Sequence, residues 1–245
     1  GAASRSGLRP VRLRPLVKAA RSLPTALLAG VAREASSAGA TAHLVGGAVR
    51  DTLLGNDPVD LDVAVEGPAR SVSRLCLALS RHGWSCEVLH ERFGTATLRA
   101  PTGEKLDLAA TREETYPHPG TLPVVTPGAP IGRDLGRRDF AIHAMAWRLG
   151  PEGVEGPILD PFGGQTDLAL RRIRLLHEGS IADDPTRVFR AARYAARAHW
   201  QMLWGFRKEA TIRNGSRRFL CRKSAAMAPM PSSPFFLSRG MISKP

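Results

Sequence analysis

One stretch constrains this chain more than any other: Leu44 to Val65, LVGGAVRDTLLGNDPVDLDVAV. Leu44-Val45 is an apolar run too short for a helix, and Gly46 and Gly47 follow it at once. Ala48 to Leu54 carries helical spacing and ends at Gly55, a residue suited to a helix C-terminus. Asn56, Asp57 and Pro58 make a turn. Asp60 to Val65 then alternates and is rich in β-branched residues, so it reads as a strand. The prediction is strand, Gly-Gly turn, helix, turn, strand.

Two features of that stretch are chemical. A Gly-Gly turn lets backbone N–H groups approach an anion without Cβ hindrance, at the positive end of a helix. Arg50, in the first turn of that helix, adds a charge aimed at the same anion. Asp60 and Asp62 are two residues apart, which on a strand puts both carboxylates on one face. Aligned carboxylates repel unless a cation lies between them, and hard oxygen ligands suit Mg²⁺. A phosphate cradle beside a magnesium site points to phosphoryl or nucleotidyl transfer. Each half alone is common: a Gly-Gly pair is often only a turn, and a D-x-D often only a solvated strand end.

Charge narrows the partners. Lys and Arg number 35 against 22 Asp and Glu, a net +13, and so basic a globular chain usually meets a polyanion, nucleic acid before membrane. Part of the charge sits in the two ends. No apolar run approaches the roughly 20 residues of a membrane span. Cys76, Cys86 and Cys221 are scattered, giving neither a disulfide framework nor zinc spacing. Cys76 falls on an apolar helical face.

Residues 1–23 hold Arg5, Arg9, Arg12, Arg14, Lys18 and Arg21 without an acid, a composition that fits an organellar transit segment (chloroplast or mitochondrion) or a disordered basic tail; without import the location would be cytoplasm. Pro24 to Ala38 and Pro68 to His82 read as amphipathic helices. The first has Leu27, Leu28, Val31 and Ala35 on one face; the second has Val72, Leu75, Cys76 and Leu79. Trp84 to Leu89, Gly94 to Arg99 and Lys105 to Ala109 read as strands. Asp107 lies between Leu106 and Leu108, so its side chain leaves the face those leucines use. Thr111 to Asp134 is rich in Pro and Gly and reads as a long loop, functional or disordered. Asp184 followed by Pro185 is a helix start, with Asp as N-cap and Pro in the first turn. Arg187, Arg190, Tyr194 and Arg197 then share one side of a helix running to Ala198.

In order, GGAVRD, LLG and D-x-D, then LDLAATREE, RRDFAIHAMAW, DPFGGQTDLAL and DDPTRVFRAAR resemble the signature of the tRNA nucleotidyltransferase (CCA-adding enzyme) and bacterial poly(A) polymerase family. The likeness covers roughly residues 42–200. It implies an α/β head of the DNA polymerase β-like type, with a small mixed, largely antiparallel sheet, flanking helices and the start of a helical neck. It implies a two-metal mechanism with catalytic Asp60, Asp62 and Asp107: Asp60 and Asp62 would hold two Mg²⁺ ions, and Asp107 would assist the one that activates the hydroxyl. The nucleotide, CTP or ATP, would be bound by Gly46, Gly47, Arg50, Arg138, Asp139, Asp184, Arg187, Arg190 and Arg193. In the family the second acid and the Arg of the last motif contact the base edge, here Asp184 and Arg187. Arg138-Asp139 would be followed by a hydrophobic helix. His143 stands where the family usually has Asn, and Asp183 where it more often has Glu.

The resulting organisation is a basic segment at 1–23, a catalytic head at 24–177, the neck start at 178–200 and an atypical basic tail at 201–245, poorly ordered. Family members continue beyond the neck into a helical region that grips tRNA, and this chain does not resemble it there; it reads as truncated. The implied function is template-independent addition of C and A to the 3′ end of tRNA. Two readings compete: a poly(A) polymerase, and an inactive RNA-binding fragment lacking the tRNA-binding body.

Overall fold

The structure, a computed structural model, describes residues 10–203 apart from 69, 119 and 199. Short segments punctuated by Gly, Pro and Asn make the strands: β1 (Thr41–Val45), β2 (Leu61–Glu66), β3 (Ser85–His90), β4 (Thr95–Arg99), β5 (Lys105–Ala110), β6 (Arg112–Thr115), β7 (Val124–Pro127), β8 (Ala146–Gly150), β9 (Gly153–Leu159), β10 (Arg172–Arg174) and β11 (Gln201–Leu203). Seven form one sheet in the order β3-β4-β5-β2-β1-β8-β9. Within it β2 and β5 run parallel and every other neighbouring pair is antiparallel. This is the mixed, largely antiparallel α/β head that the motifs imply.

The helices are α1 (Leu16–Arg21), α2 (Thr25–Ser37), α3 (Gly47–Leu54), α4 (Ser71–Ser80), α5 (Ile131–Gly136), α6 (Gly164–Ala169), α7 (Ser180–Asp183) and α8 (Arg187–Ala198). A parallel pair needs a crossover, and here α4 and the β3–β4 hairpin carry the chain from β2 to β5. The apolar faces of α2 and α4 are buried as their spacing predicts: Leu28, Val31 and Ala35 on one, Val72, Leu75 and Leu79 on the other. They share a core with Leu61, Val63, Leu98, Leu106 and Leu108 from the sheet. Each such leucine contributes about 1.5–3 kcal/mol through burial, so this face supplies much of the driving force for folding.

Alternation decides the rest. Leu61 pairs with Leu106 and Val63 with Leu108, which leaves Asp62 and Asp107 as register partners on the opposite face. There a second, smaller cluster forms from Val45, Ala64, Ala144 and Ala146 against Leu135 of α5.

Three expectations need correction. Residues 111–134 are not a bare loop: β6 and β7 pair in an antiparallel hairpin, and α5 follows. Its exposed strand residues hide the pattern, since neither face packs on a core. The apolar run after Asp139 does not continue as a helix. It makes one 3₁₀ turn at Ala141–His143 and then enters β8, which pairs with both β1 and β9. A strand covered on both faces is apolar at successive positions, and that pattern mimics a buried helix. Residues 10–23 are not a loose tail. Ala19 and Leu23 are buried, and Arg14 donates to the Gly55 carbonyl at 2.9 Å. Residues 1–9 lie outside the described residues.

At the other end, residues 24–177 and 178–200 fall in one compact unit. Gln201–Leu203 adds a strand beside β10. The rest of the expected basic tail, 204–245, lies outside the described residues.

Candidate functional site

Asp62 and Asp107 owe their proximity to strand register, but their surroundings differ. Asp107 is held from both sides: Thr97 Oγ1 donates to Oδ1 at 2.6 Å, and Lys105 Nζ donates to Oδ2 at 2.7 Å. Asp62 is half-buried, and its carboxylate accepts no hydrogen bond among the described residues. Burial pushes the Asp62 carboxyl upward, and the charges of Asp107 and Asp60 add to that, against Arg138. Asp60 is not on the strand. It sits in a bend just ahead of β2, with its side chain 52% exposed, and Lys105 Nζ lies 3.7 Å from its Oδ1. Lys105 therefore reaches both outer carboxylates. Among the described residues no three His, Cys, Asp or Glu side chains form a closed metal cluster.

The Gly-Gly turn closes on this corner. Gly46 has φ 65°, in the region that favours glycine, and caps α3. A Cβ there would stand 3.2 Å from an Arg138 terminal nitrogen and 3.6 Å from Asp62 Oδ2. So the turn, Asp62 and Arg138 converge, and the helix N-terminus points at them. Arg138 is steered by Asp134, whose side chain is 1% exposed: Nη2 donates to Oδ2 at 3.0 Å. Arg137 donates to the other oxygen of Asp134 at 2.9 Å and to Glu114 at 3.1 Å. One buried carboxylate thus holds both arginines of the Arg-Arg-Asp motif.

Arg50 is not a free side chain. It binds both oxygens of Asp51 at 2.8 Å and donates to His143 Nε2 at 2.7 Å. Asp139 accepts from the Phe140 N–H at 2.9 Å and from His143 Nδ1 at 3.2 Å, and its second oxygen lies 3.1 Å from Arg190 Nε. Burial alone would raise the Asp139 carboxyl, but the His143 hydrogen bond and the charges of His143 and Arg190 carry it below the usual value. Burial drives His143 below the ordinary imidazole value, against the pull of Asp139.

The neck contributes unevenly. Asp184 caps as expected, accepting from the Thr186 N–H at 2.9 Å, and Arg190 approaches its other oxygen at 3.3 Å. Arg187 is only 3% exposed. Its Nη1 donates to Ser180, and its Nη2 donates to the Arg137 carbonyl at 3.2 Å. The guanidinium expected to read a base edge fastens α8 to α7 and to the Arg137 segment, and it also lines the second cavity described next. Arg193 is exposed and lines neither cavity described next, so the structure does not bring it to the site.

Two cavities meet here. One of about 470 Å³ lies over the sheet, beside Asp107, Thr97, Thr95 and His90. The other, about 510 Å³, is walled by Gly46, Gly47, Arg50, Asp139, Asp184, Arg187 and Arg190. Asp62, Arg137 and Arg138 belong to both. Sequence reasoning missed Asp134, Lys105, Glu114 and Tyr116. Glu114 and Tyr116 reach the second cavity through the β6–β7 hairpin, whose strands carry no hydrophobic alternation to announce them.

A family model described as "Poly A polymerase head domain" matches residues 42–174. The CC-adding tRNA nucleotidyltransferase of Deinococcus radiodurans is 46% identical over 155 residues, 63% of this chain and 40% of the relative. The A-adding tRNA nucleotidyltransferase of Aquifex aeolicus is 44% identical over 162 residues, 66% of this chain and 19% of the relative. Among solved structures, an apo CCA-adding enzyme superposes with a TM-score of 0.68 at 32% identity, covering 79% of this chain and 46% of that one. The Thermotoga maritima CCA-adding enzyme complexed with tRNA gives 0.60 at 31% identity, covering 79% and 43%. The chain spans less than half the length of each of these proteins.

Proposed function

The chain belongs to the poly A polymerase head domain family, and from that premise we propose that it is the catalytic head of a tRNA nucleotidyltransferase. The reaction is transfer of a nucleoside monophosphate from CTP or ATP to the 3′-hydroxyl at the end of a tRNA. One observation carries the reading: two cavities share a wall made of Asp62, Arg137 and Arg138. A transfer between two bound substrates needs adjoining pockets, with the reacting atoms at their junction.

The polar cavity takes the nucleotide. The Gly46–Gly47 turn and the α3 N-terminus offer N–H groups to the triphosphate, and Arg50 and Arg138 offer guanidinium donors. Asp184 and Arg187 both line the cavity on the side of the base, and Arg187 also braces α8 against the Arg137 carbonyl. The cavity beside Asp107 and Thr97 takes the RNA end.

The donor set fits Mg²⁺. Asp60 and Asp62 would hold it with Asp107 alongside: all are hard oxygen donors, Asp62 has no competing hydrogen bond among the described residues, and a cation relieves their mutual repulsion. When bound, the ion supplies charge neutralisation and a lower pKa for the attacking hydroxyl. The 3′-hydroxyl releases its proton to solvent, its oxygen forms a bond to the α-phosphorus, the bond from that phosphorus to the bridging oxygen breaks, and pyrophosphate leaves with that electron pair. Arg50, Arg138 and the α3 N-terminus compensate the charge on the departing group.

The test is incorporation of labelled CTP and ATP into tRNA lacking its 3′ end, with this chain and Mg²⁺. Addition of a few C or A residues is expected. Long A runs would replace the reading with poly(A) synthesis. Nucleotide or RNA binding without incorporation would leave the chain a binding fragment.

A further inference from the structure

His143 is nearly buried and lies at the centre of the polar cavity's network rather than in the apolar core. Both of its ring nitrogens are in use. Nε2 lies 2.7 Å from an Arg50 terminal nitrogen, and Nδ1 lies 3.2 Å from Asp139 Oδ1. A guanidinium only donates, so Nε2 must be the lone-pair nitrogen. The ring proton is then on Nδ1, donated to Asp139. The partners thereby dictate one neutral tautomer.

That imidazole links two walls. Arg50 stands in the first turn of α3, beside the Gly-Gly turn, and Asp51 and His143 engage three of the five N–H donors that an arginine carries. The Tyr194 ring packs edge-on to His143 at 4.8 Å, and Arg50 sits 5.8 Å from the centre of the same ring. Asp139 extends the chain to Arg190 on α8. A guanidinium held from one side in this way keeps its remaining donors aimed, and less orientational freedom is lost when an anion arrives.

We propose that His143 is a positioning residue for the nucleotide: through its two ring nitrogens it holds Arg50 toward the phosphates and ties it to Asp139 and Arg190, so that nucleotide affinity falls when the ring takes a second proton. This rests on the proposed function. A second proton turns the Nε2 acceptor into a donor facing Arg50, which removes one hydrogen bond and sets two cations against each other. The groups facing His143 are Asp139 and Arg138 from its own segment, Arg50 from α3, and Tyr194 from α8, with Arg190 reaching it through Asp139. On the other elements packed there, Asp167 of α6 and Arg174 of β10 pair with each other.

Asparagine supplies the same two functions, an acceptor oxygen and a donor N–H, and does not titrate. The experiment compares wild type, His143→Asn and His143→Ala for CTP and ATP affinity at fixed Mg²⁺, from about pH 7.5 to about pH 4.5, through the ordinary imidazole range and below it, because burial lowers the His143 ring. Protonation of the nucleotide itself is common to all three, so the ratio to His143→Asn isolates the ring. Wild type should weaken about tenfold relative to His143→Asn as pH falls, and His143→Ala should bind about tenfold more weakly throughout, near the value of one lost charge-assisted hydrogen bond. Superimposable profiles for wild type and His143→Asn, or wild-type affinity in His143→Ala, would overturn the inference and leave the proposed function standing. A folded wild type that binds neither nucleotide at any pH would overturn the proposed function itself. Should His143→Ala not fold, nitrogen NMR of the wild-type ring decides independently: the Nδ1–H tautomer is expected, and the Nε2–H tautomer sinks the proposal.

Discussion

Asp62 and Asp107 stand on neighbouring strands; Arg50, Arg138, Asp139 and Asp184 stand on a helix turn, a loop and the approach to the neck. The first pair is placed by backbone register. Shifting either strand by one residue would bury a carboxylate and expose a leucine, so the hydrophobic face under α2 and α4 enforces the pairing. The second set is placed by other side chains. Asp134 steers two arginines, His143 steers Arg50, and Arg187 pins α8 to the carbonyl of Arg137. A carboxylate on a strand is therefore replaceable without harm to the fold, whereas a member of the side-chain network is both structure and site.

The contrast breaks most visibly at its two extremes. Asp62→Ala should lower transfer by roughly a thousandfold or more, the scale of losing a principal electrostatic contact at the reacting centre. Its melting temperature should stay level or rise, because a half-buried carboxylate resisted by burial and by Asp107 is gone. Initial rates beside a thermal melt check this, and a large fall in stability would put Asp62 in the network class. Arg187→Ala should do the reverse in order of cause. It leaves the Ser180 and Arg137 carbonyls without their donor, which costs about 2–3 kcal/mol in urea unfolding, and activity should fall because the neck loosens. A normal unfolding midpoint with altered CTP/ATP preference would restore Arg187 as a direct base reader.

Acid should weaken the side-chain network before the sheet. His143 is lowered in the fold, so below its unfolded value of about 6.5 the unfolded chain binds the proton first, and stability falls as pH drops. Asp139 is lowered too, so its contribution is present above the unfolded carboxylate value and is lost as pH falls through the folded one. Both slopes have the same sign and act in successive windows. Denaturant midpoints over that range should show wild type losing more than His143→Asn between about pH 6.5 and 5.5, the histidine window. Equal loss would mean that the ring is not held neutral.

The smallest effect concerns Lys105. Its ammonium reaches Asp107 and Asp60, where a divalent ion would compete with it. Lys105→Ala should tighten Mn²⁺ or Mg²⁺ binding only a few-fold, roughly what an exposed ion pair is worth, and leave the melt unchanged. Weaker metal binding in a titration would instead make Lys105 a support for the carboxylates.

The strand, turn and helix around Gly46 were legible because each rests on local chemistry: a glycine at positive φ, a helix stop at Gly55, alternation through Val63. Asp107 was legible as a residue leaving the leucine face. The β6–β7 hairpin was not, because its strands cover no core and leave no hydrophobic period. Arg187 was read as a ligand group because its spacing from Asp184 is that of a family motif; the structure lines the cavity with it and adds a bracing role that the spacing did not announce. His143 stood out only as a departure from the expected asparagine.

By itself the sequence determined which residues lie on which face of each strand and helix, and so which carboxylates, glycines and arginines were available. These are properties of neighbours along the chain, set by backbone period and steric preference. Only the tertiary structure decided how they meet: the register that sets Asp62 against Asp107, the buried Asp134 shared by two arginines, and the histidine that bridges Arg50 and Asp139. Those contacts join segments up to 93 residues apart, and their strength comes from burial, which no local pattern encodes.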